Sequence, residues 1–410
     1  MAEHGRTVHA GLPAAVDRER VTIPARHRWA RLPAIGAAAG AAGLVASLAL
    51  RPADPRQFLF SWLVAFLFFL SLALGALFFV LLHFITNASW STVLRRLAEN
   101  VMGTLPLFLL LFVPIALGLR EVYHWSDPAA VAHDPLLQAK QGWLDTRFFL
   151  LRAGVWLGSW SLIAGWFLAS SRRQDATGDP ALTRRMVAAS APALGVFALT
   201  VTGAAVDWVM SLDPHWYSTM FGVYFFAGCL VGNFAFLALL GGALRRAGLL
   251  REFLTAEHFH DLGKLLFGFT VFWAYIAFCQ YFLIWYGNIP EETVWYLHRN
   301  AGTWGTASLL LGAGHFAVPL FYLIFRATKR RTGLLLAGAV WMLAMHFLDL
   351  YWLVMPTLHA HGPRPGLLDL TTFVAVGGLF AAALGLRMRR HALLPVRDPG
   401  LARSLSFENA

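Results

Sequence analysis

Residues 206–228 read VDWVMSLDPHWYSTMFGVYFFAG, with Asp207, Asp213 and His215 set around one proline and no lysine or arginine among them. Two carboxylates and an imidazole so close together can hold or transfer protons, and an aspartate before a proline can equally start a helix. A second set follows. In WMLAMHFLDLYW, His346 and Asp349 are three residues apart, on one helical face, while Gln280 and His315 lie in the two preceding apolar stretches. The segment GNIPEETVWYLHRN adds Glu291 and Glu292. What these groups can do depends on the medium around them, and composition decides that medium.

The 410 residues are 58% hydrophobic and only 13% charged, and apolar runs of 20 or more recur along the chain. A soluble protein of this length needs far more polar surface, so most of the chain belongs in a bilayer as one compact membrane domain. The net charge of +11 sits in short basic clusters between apolar runs. That distribution orients membrane spans and offers no groove for nucleic acid. Cys229 and Cys279 are isolated in apolar segments and lack metal-ligand spacing. No phosphate loop, nucleophile elbow or metal motif is present, so soluble-enzyme chemistry has no support.

Apolar length and flanking charge place ten helices near 32–50, 57–85, 99–119, 148–170, 186–211, 216–244, 262–287, 302–326, 332–356 and 368–388. The expected architecture is all-α, with a lead of residues 1–31, a membrane domain over 32–388 and a tail over 389–410. With the amino terminus cytoplasmic, 25 of the 33 lysines and arginines fall on the inner side, and both termini lie there. The first span is rich in Ala and Gly; the arginine-bearing lead and the even span count favour a retained helix over a cleaved signal. The outer connection 120–147 contains HDPLLQAKQGWLDTRFF, read as a short amphipathic surface helix after Asp134-Pro135. A faint repeat relates Ser61, Phe68, Phe69 and Gly75 of the second span to Ser218, Phe225, Phe226 and Gly232 of the sixth, as a parallel duplication of a four-helix unit would.

An ionisable group at mid-bilayer costs roughly 2.5–3.5 kcal/mol on insertion scales, so each one inside a span needs a partner or a task. At about 1.5 Å rise per residue, Asp207 and Arg152 both lie about 6 Å inside the outer face on consecutive antiparallel helices, which predicts that they pair. Two readings of the pair stand: it offsets its own burial, or it has a functional role. Asp349, His346 and His315 fall at graded depths that suit a proton relay, and interhelical hydrogen bonding is the alternative. Gln280 shares the depth of Asp349, and Tyr281 and Trp285 are positioned to contact a bound ring. Asp213 is expected to cap the sixth helix with Pro214 in its first turn. Glu291 and Glu292 are expected in a solvated outer loop, and His83, Glu99, His258, His260, Asp261 and Lys264 at a solvated inner interface.

The stretches DWVMSLDPHWYSTMFGVYFFAG, DLGKLLFGFTVFWAYIAFCQYFLIWYGNIPEETVWY and QFLFSWLVAFLFFLSLALGALFFVLLHF resemble the F-type membrane subunits of bacterial alternative complex III, members of the NrfD/PsrC-like proteins. So does the run from Lys140 through Trp143, Leu144, Asp145, Phe148 and Phe149 to Arg152. The resemblance covers the membrane domain and leaves out the lead and the last twenty or so residues. It implies two four-helix bundles with two flanking helices, in a quinol:cytochrome c oxidoreductase. Its implied partners are a second NrfD-like subunit, a periplasmic iron–sulfur subunit and c-type haem subunits. It implies no covalently bound or metal-ligated cofactor, with quinone or quinol as ligand, and a role in quinone binding, proton conduction or support. The matching polar positions are Arg152, Asp207, His346 and Asp349. A haem-bearing cytochrome b reading has one histidine pair at most, His315 with His346. A secondary transporter is the other alternative.

Overall fold

The computed structural model describes residues 17–409; Arg6 and the rest of the lead before Asp17 lie outside that range. Among the described residues ten helices are long and apolar enough to cross a membrane, and no strand forms. They are α1 (Leu32–Leu50), α2 (Pro55–Ile85), α3 (Thr92–Leu117), α4 (Thr146–Thr177), α5 (Pro180–Trp208), α6 (Phe221–Arg246), α7 (Ala256–Gly287), α8 (Trp304–Leu323), α9 (Thr332–Val354) and α10 (Leu367–Arg390). The chain is an all-α polytopic membrane protein.

The starts follow local chemistry. Asp54, Asp145 and Asp179 each accept a first-turn amide, from Gln57, Phe148 and Ala181 at 2.9, 2.9 and 2.8 Å. Pro55 and Pro180 occupy first helical positions, where the missing N–H costs nothing. Thr255 and His258 cap α7 reciprocally. These caps lie up to seven residues ahead of the apolar runs, so α5 and α7 start earlier than hydropathy places them.

Helices α2–α5 form one bundle and α6–α9 a second, joined where α2 meets α6. The α2 helix is buried along nearly its whole length, packing on α3, α5, α6, α9 and α10. Gly75 and Gly232 make that crossing close. A Cβ on Gly75 would press on the Cys229 carbonyl and lie 2.5 Å from Asn233 Cβ, and one on Gly232 would lie 3.1 Å from a Leu72 methyl. The repeat offset of 157 residues carries Leu72 onto Cys229, so exchanging the two helices maps one contact onto the other. A pseudo-two-fold between the bundles accounts for this reciprocity.

The Ala/Gly-rich α1 docks on α10. Added Cβ atoms at Gly36 and Gly43 would lie 2.6 and 2.5 Å from the backbone nitrogens of Ala382 and Ala375, so small residues are what let the two backbones touch. One end of the molecule carries the arginine-rich connections and is called the basic end below. Residues of the lead and tail close it: the Leu393 amide donates to the Val21 carbonyl at 2.8 Å, and Leu393, Leu394 and Ser404 are fully buried.

Candidate functional site

Toward the end opposite the basic one, α6, α7, α8 and α9 converge on Asp349. Its carboxylate is buried, with one oxygen accepting from the Tyr224 hydroxyl of α6 and the other from Trp273 Nε1 of α7 at 3.1 Å. One turn along α9, His346 Nε2 lies 2.7 Å from Ser71 Oγ on α2. Ser71 spends its single hydroxyl proton on the Phe68 carbonyl at 2.7 Å, so it accepts from His346 Nε2–H. That leaves Nδ1 bare. A Cβ at Gly228 would lie 3.5 Å from this Nδ1 and 3.7 Å from Asp349 Oδ2, so both atoms face the same glycine.

His315 arrives from α8 through a π-helical turn, Gly312–Ala317. The wider turn frees the Gly314 carbonyl for Trp341 Nε1 at 2.7 Å, and the imidazole stacks on Trp273 with centroids 3.8 Å apart. Neither ring nitrogen has a protein partner. Donor atoms of His315, His346 and Asp349 lie within 4.8 Å of one another. By identity these three can ligate a metal, although the sequence shows no metal spacing. A tetrahedral ion with bonds of about 2.1 Å needs ligand atoms roughly 3.4 Å apart, so the set would have to close inward. Both Asp349 oxygens already hold hydrogen bonds. The three groups stand close together with no hydrogen bond between them.

Beside it lies a cavity of about 610 Å³ whose wall includes Tyr224, Trp273, Gln280, Tyr281, Tyr296 and Trp352. It opens between α7 and α8, where the lining residues Tyr275, Phe278 and Leu309 are 61%, 61% and 77% exposed on a face of membrane-spanning helices. Entry is from the apolar side. Gln280 lies two turns beyond Trp273, the α7 residue that bonds Asp349, and not beside the carboxylate as expected; it accepts from Ser218 Oγ at 2.8 Å and donates to the Tyr296 hydroxyl at 3.0 Å. Burial raises the Tyr296 phenol to about 12, keeping it neutral. Trp285 is 61% exposed and does not line the cavity, which corrects its expected ring contact.

The expected Arg152–Asp207 pair forms, and it is saturated. Asp207 Oδ1 accepts from Arg152 Nη2 and Trp143 Nε1, both at 2.9 Å, and Oδ2 from Arg152 Nε at 2.8 Å and Trp156 Nε1 at 3.0 Å. Four donors fill roughly four lone-pair sites. The guanidinium is held between the Trp143 and Phe148 rings at 4.1 and 4.3 Å. The pair thus meets the first of its two readings, offsetting its own burial. Asp349, with one donor per oxygen, keeps capacity.

The other expected residues fall elsewhere. Asp213 caps no helix: α6 starts at Phe221 after Met220, and residues 213–220 form an irregular turn because Trp216 is buried and cannot continue a lipid-facing helix. Asp213 instead supplies opposing charge near Lys140 and Arg299. His215 pairs with Asp134 at 2.6 Å on the surface, away from Asp349. Glu291 and Glu292 are in a helix, Pro290–Asn300, whose first turn favours acids. Its buried Arg299 stacks 3.4 Å from the Trp295 ring centroid and donates to the Leu353 carbonyl at 2.8 Å; burial lowers its pKa to about 9. The surface helix after Asp134 is only Pro135–Ala139.

At the basic end, Glu99 and His83 are buried, not solvated, as are His258, His260 and Asp261. Glu99 bridges Arg95 at 2.9 Å and Arg96 at 2.7 Å, Arg95 reaches Asp398 of the tail at 2.9 Å, and Arg96 reaches Asp175 at 2.7 Å. The i+3 and i+4 spacing of Glu99 from the two arginines was the available signal. Tyr224, Trp273 and Ser71 also escaped the sequence reading. Trp273 had one cue, lying seven residues before Gln280 on the same helical face.

The fold and site together define a polytopic helical membrane protein with a lipid-open aromatic cavity next to buried acid–imidazole groups. No family model matches the chain, and no curated protein matches it.

Proposed function

We propose that the chain is a membrane subunit of a quinol:cytochrome c oxidoreductase of the alternative complex III type, taking up protons released when quinol is oxidised in the α7–α8 cavity. The observation that carries this reading is the shared wall: Tyr224 and Trp273 line a cavity open to lipid and also donate to the buried Asp349. A lipid-soluble aromatic ligand enters from the bilayer, and its hydroxyl donates to the Tyr224 oxygen while Tyr224 passes its own proton to Asp349. Asp349 hands this first proton to the bare Nδ1 of His346, whose ring approaches within 4.8 Å, and is then free to take the second by the same route. Quinol loses two electrons with its two protons, and the electrons go to a partner: an iron–sulfur subunit, then c-type haem subunits. A second NrfD-like subunit and membrane lipids complete the surroundings. The basic clusters support placement in the bacterial inner membrane with both termini cytoplasmic and the cavity toward the periplasm.

The test is Asp349→Asn and Tyr224→Phe in the assembled complex, with azidoquinone photolabelling of the unmodified protein. Quinol turnover should fall by about 10²–10⁴-fold in each variant with assembly intact, and label should map to α7 and α8. Unchanged turnover with label elsewhere would sink the reading. Solute flux by the chain alone in proteoliposomes would favour the transporter instead.

A further inference from the structure

A cluster of cations at the basic end has no use in the chemistry above. Arg172 of α4 is half-buried, and its Nε and Nη2 atoms are shut off from solvent without a hydrogen-bond partner. Arg96 and Arg387 lie within electrostatic range of it, and Arg172, Arg96, Arg18 and Arg390 all act on His391. The local acids bond other arginines, Glu99 to Arg95 and Arg96 and one oxygen of Asp175 to Arg96, while still attracting Arg172 from a distance. Among the described residues, Arg18, Arg172, Arg387 and Arg390 form no ion pair. Burial, then the surrounding arginines, drives His391 down to about 4, so the neighbourhood already rejects one more positive charge.

The helices that carry these cations continue as bare apolar surface. The Arg387 side chain lies against Gly103 of α3, 3.1 Å from where a Cβ would stand. From that point toward the opposite end, Leu109, Leu110, Val113 and Leu117 of α3 are exposed, as are Leu386 of α10 and Leu162 and Trp166 of α4. Gly103 to Leu117 spans about 21 Å at helical rise, the length of an acyl chain. A ligand matching both halves has an anionic head and a hydrocarbon tail.

We infer that Arg172, Arg387, Arg390 and Arg18 form a headgroup site for an anionic phospholipid, with its phosphate on the unpartnered Arg172 guanidinium and its chains along the exposed faces of α3, α4 and α10. Each arginine near such a head raises affinity about fivefold. The phosphate meets the half-buried guanidinium from its open side, and the shut-off Nε and Nη2 leave its charge without a protein acceptor.

The test uses the full-length protein, delipidated in detergent. Native mass spectrometry with an equal mixture of dioleoyl phosphatidylglycerol and dioleoyl phosphatidylcholine should show preferential retention of the glycerol lipid. The double variant Arg172→Gln/Arg387→Gln should lower that preference by about 30-fold. Thermal unfolding without lipid reports whether the variant folds. Arg173→Gln, an exposed neighbour on α4, serves as a second variant and should leave the preference unchanged. Equal retention of both lipids by the unmodified protein, or an equal loss in Arg173→Gln, overturns the site. Inorganic phosphate competing as well as the lipid would assign it to a free anion and overturn the lipid proposal.

Discussion

At the residue scale, the two buried aspartates near one end differ in how many donors they hold. Asp207 receives four N–H groups, and Asp349 one O–H and one N–H. Depth in the sequence singles out both and cannot separate them, because saturation depends on Trp143, Trp156, Tyr224 and Trp273, which arrive from other segments. Asp207→Ala should therefore be a stability variant. It leaves the Arg152 guanidinium buried without its carboxylate, a loss of about 3–5 kcal/mol, read as a lower yield of assembled complex and a lower unfolding temperature. A second change, Arg152→Ala, should restore part of the loss and not all of it, since the two indole N–H groups stay unpaired. No restoration would mean the pair does not set stability here. Asp349→Asn should by contrast change the unfolding temperature little, because the amide oxygen can accept from Trp273 and its N–H can donate to the Tyr224 oxygen.

At the element scale, apolar length finds every span, and the errors cluster where polar chemistry sits inside a helix. Hydropathy starts α3 near 99, but the helix begins at Thr92 because Glu99, Asp175 and Asp398 offset Arg95 and Arg96 in the interior. The sixth helix is expected from 216 and begins at Phe221, since the apolar Trp216 is consumed by stacking on Trp295 at 4.3 Å. The π turn at His315 left no readable mark, because extra residues in a turn do not alter composition. The α2–α6 crossing gives a sharp test of the duplication. Gly75→Val and Gly232→Val should each cost about 1–3 kcal/mol or more by overpacking. Gly165→Val on α4, where a Cβ meets nothing within 4 Å, should be tolerated. Unfolding temperature and monodispersity in detergent measure all three. Tolerance of Val at both crossing glycines would show that the bundles do not meet through these residues.

At the scale of the whole molecule, burial and charge arrange themselves around two directions. Across the membrane plane, α2 and α6 are central, while α4, α5, α7 and α8 present exposed leucines and aromatics outward, so the surface that would be a liability in water is the lipid boundary. Along the membrane normal, the basic connections gather at one end and the Asp349 site lies toward the other. Under the proposed function, only the second direction decides which compartment receives the protons. With most lysines and arginines in the basic-end connections, the proposed orientation puts that end in the cytoplasm. Single cysteines at the exposed Arg185 and Glu291, in a Cys279→Ser background with buried Cys229 retained, read this directly. A membrane-impermeant maleimide on intact spheroplasts should modify Glu291→Cys and should reach Arg185→Cys only after lysis. The opposite pattern would turn the α7–α8 cavity toward the cytoplasm, and quinol oxidised there would deliver its protons to the wrong side for energy conservation.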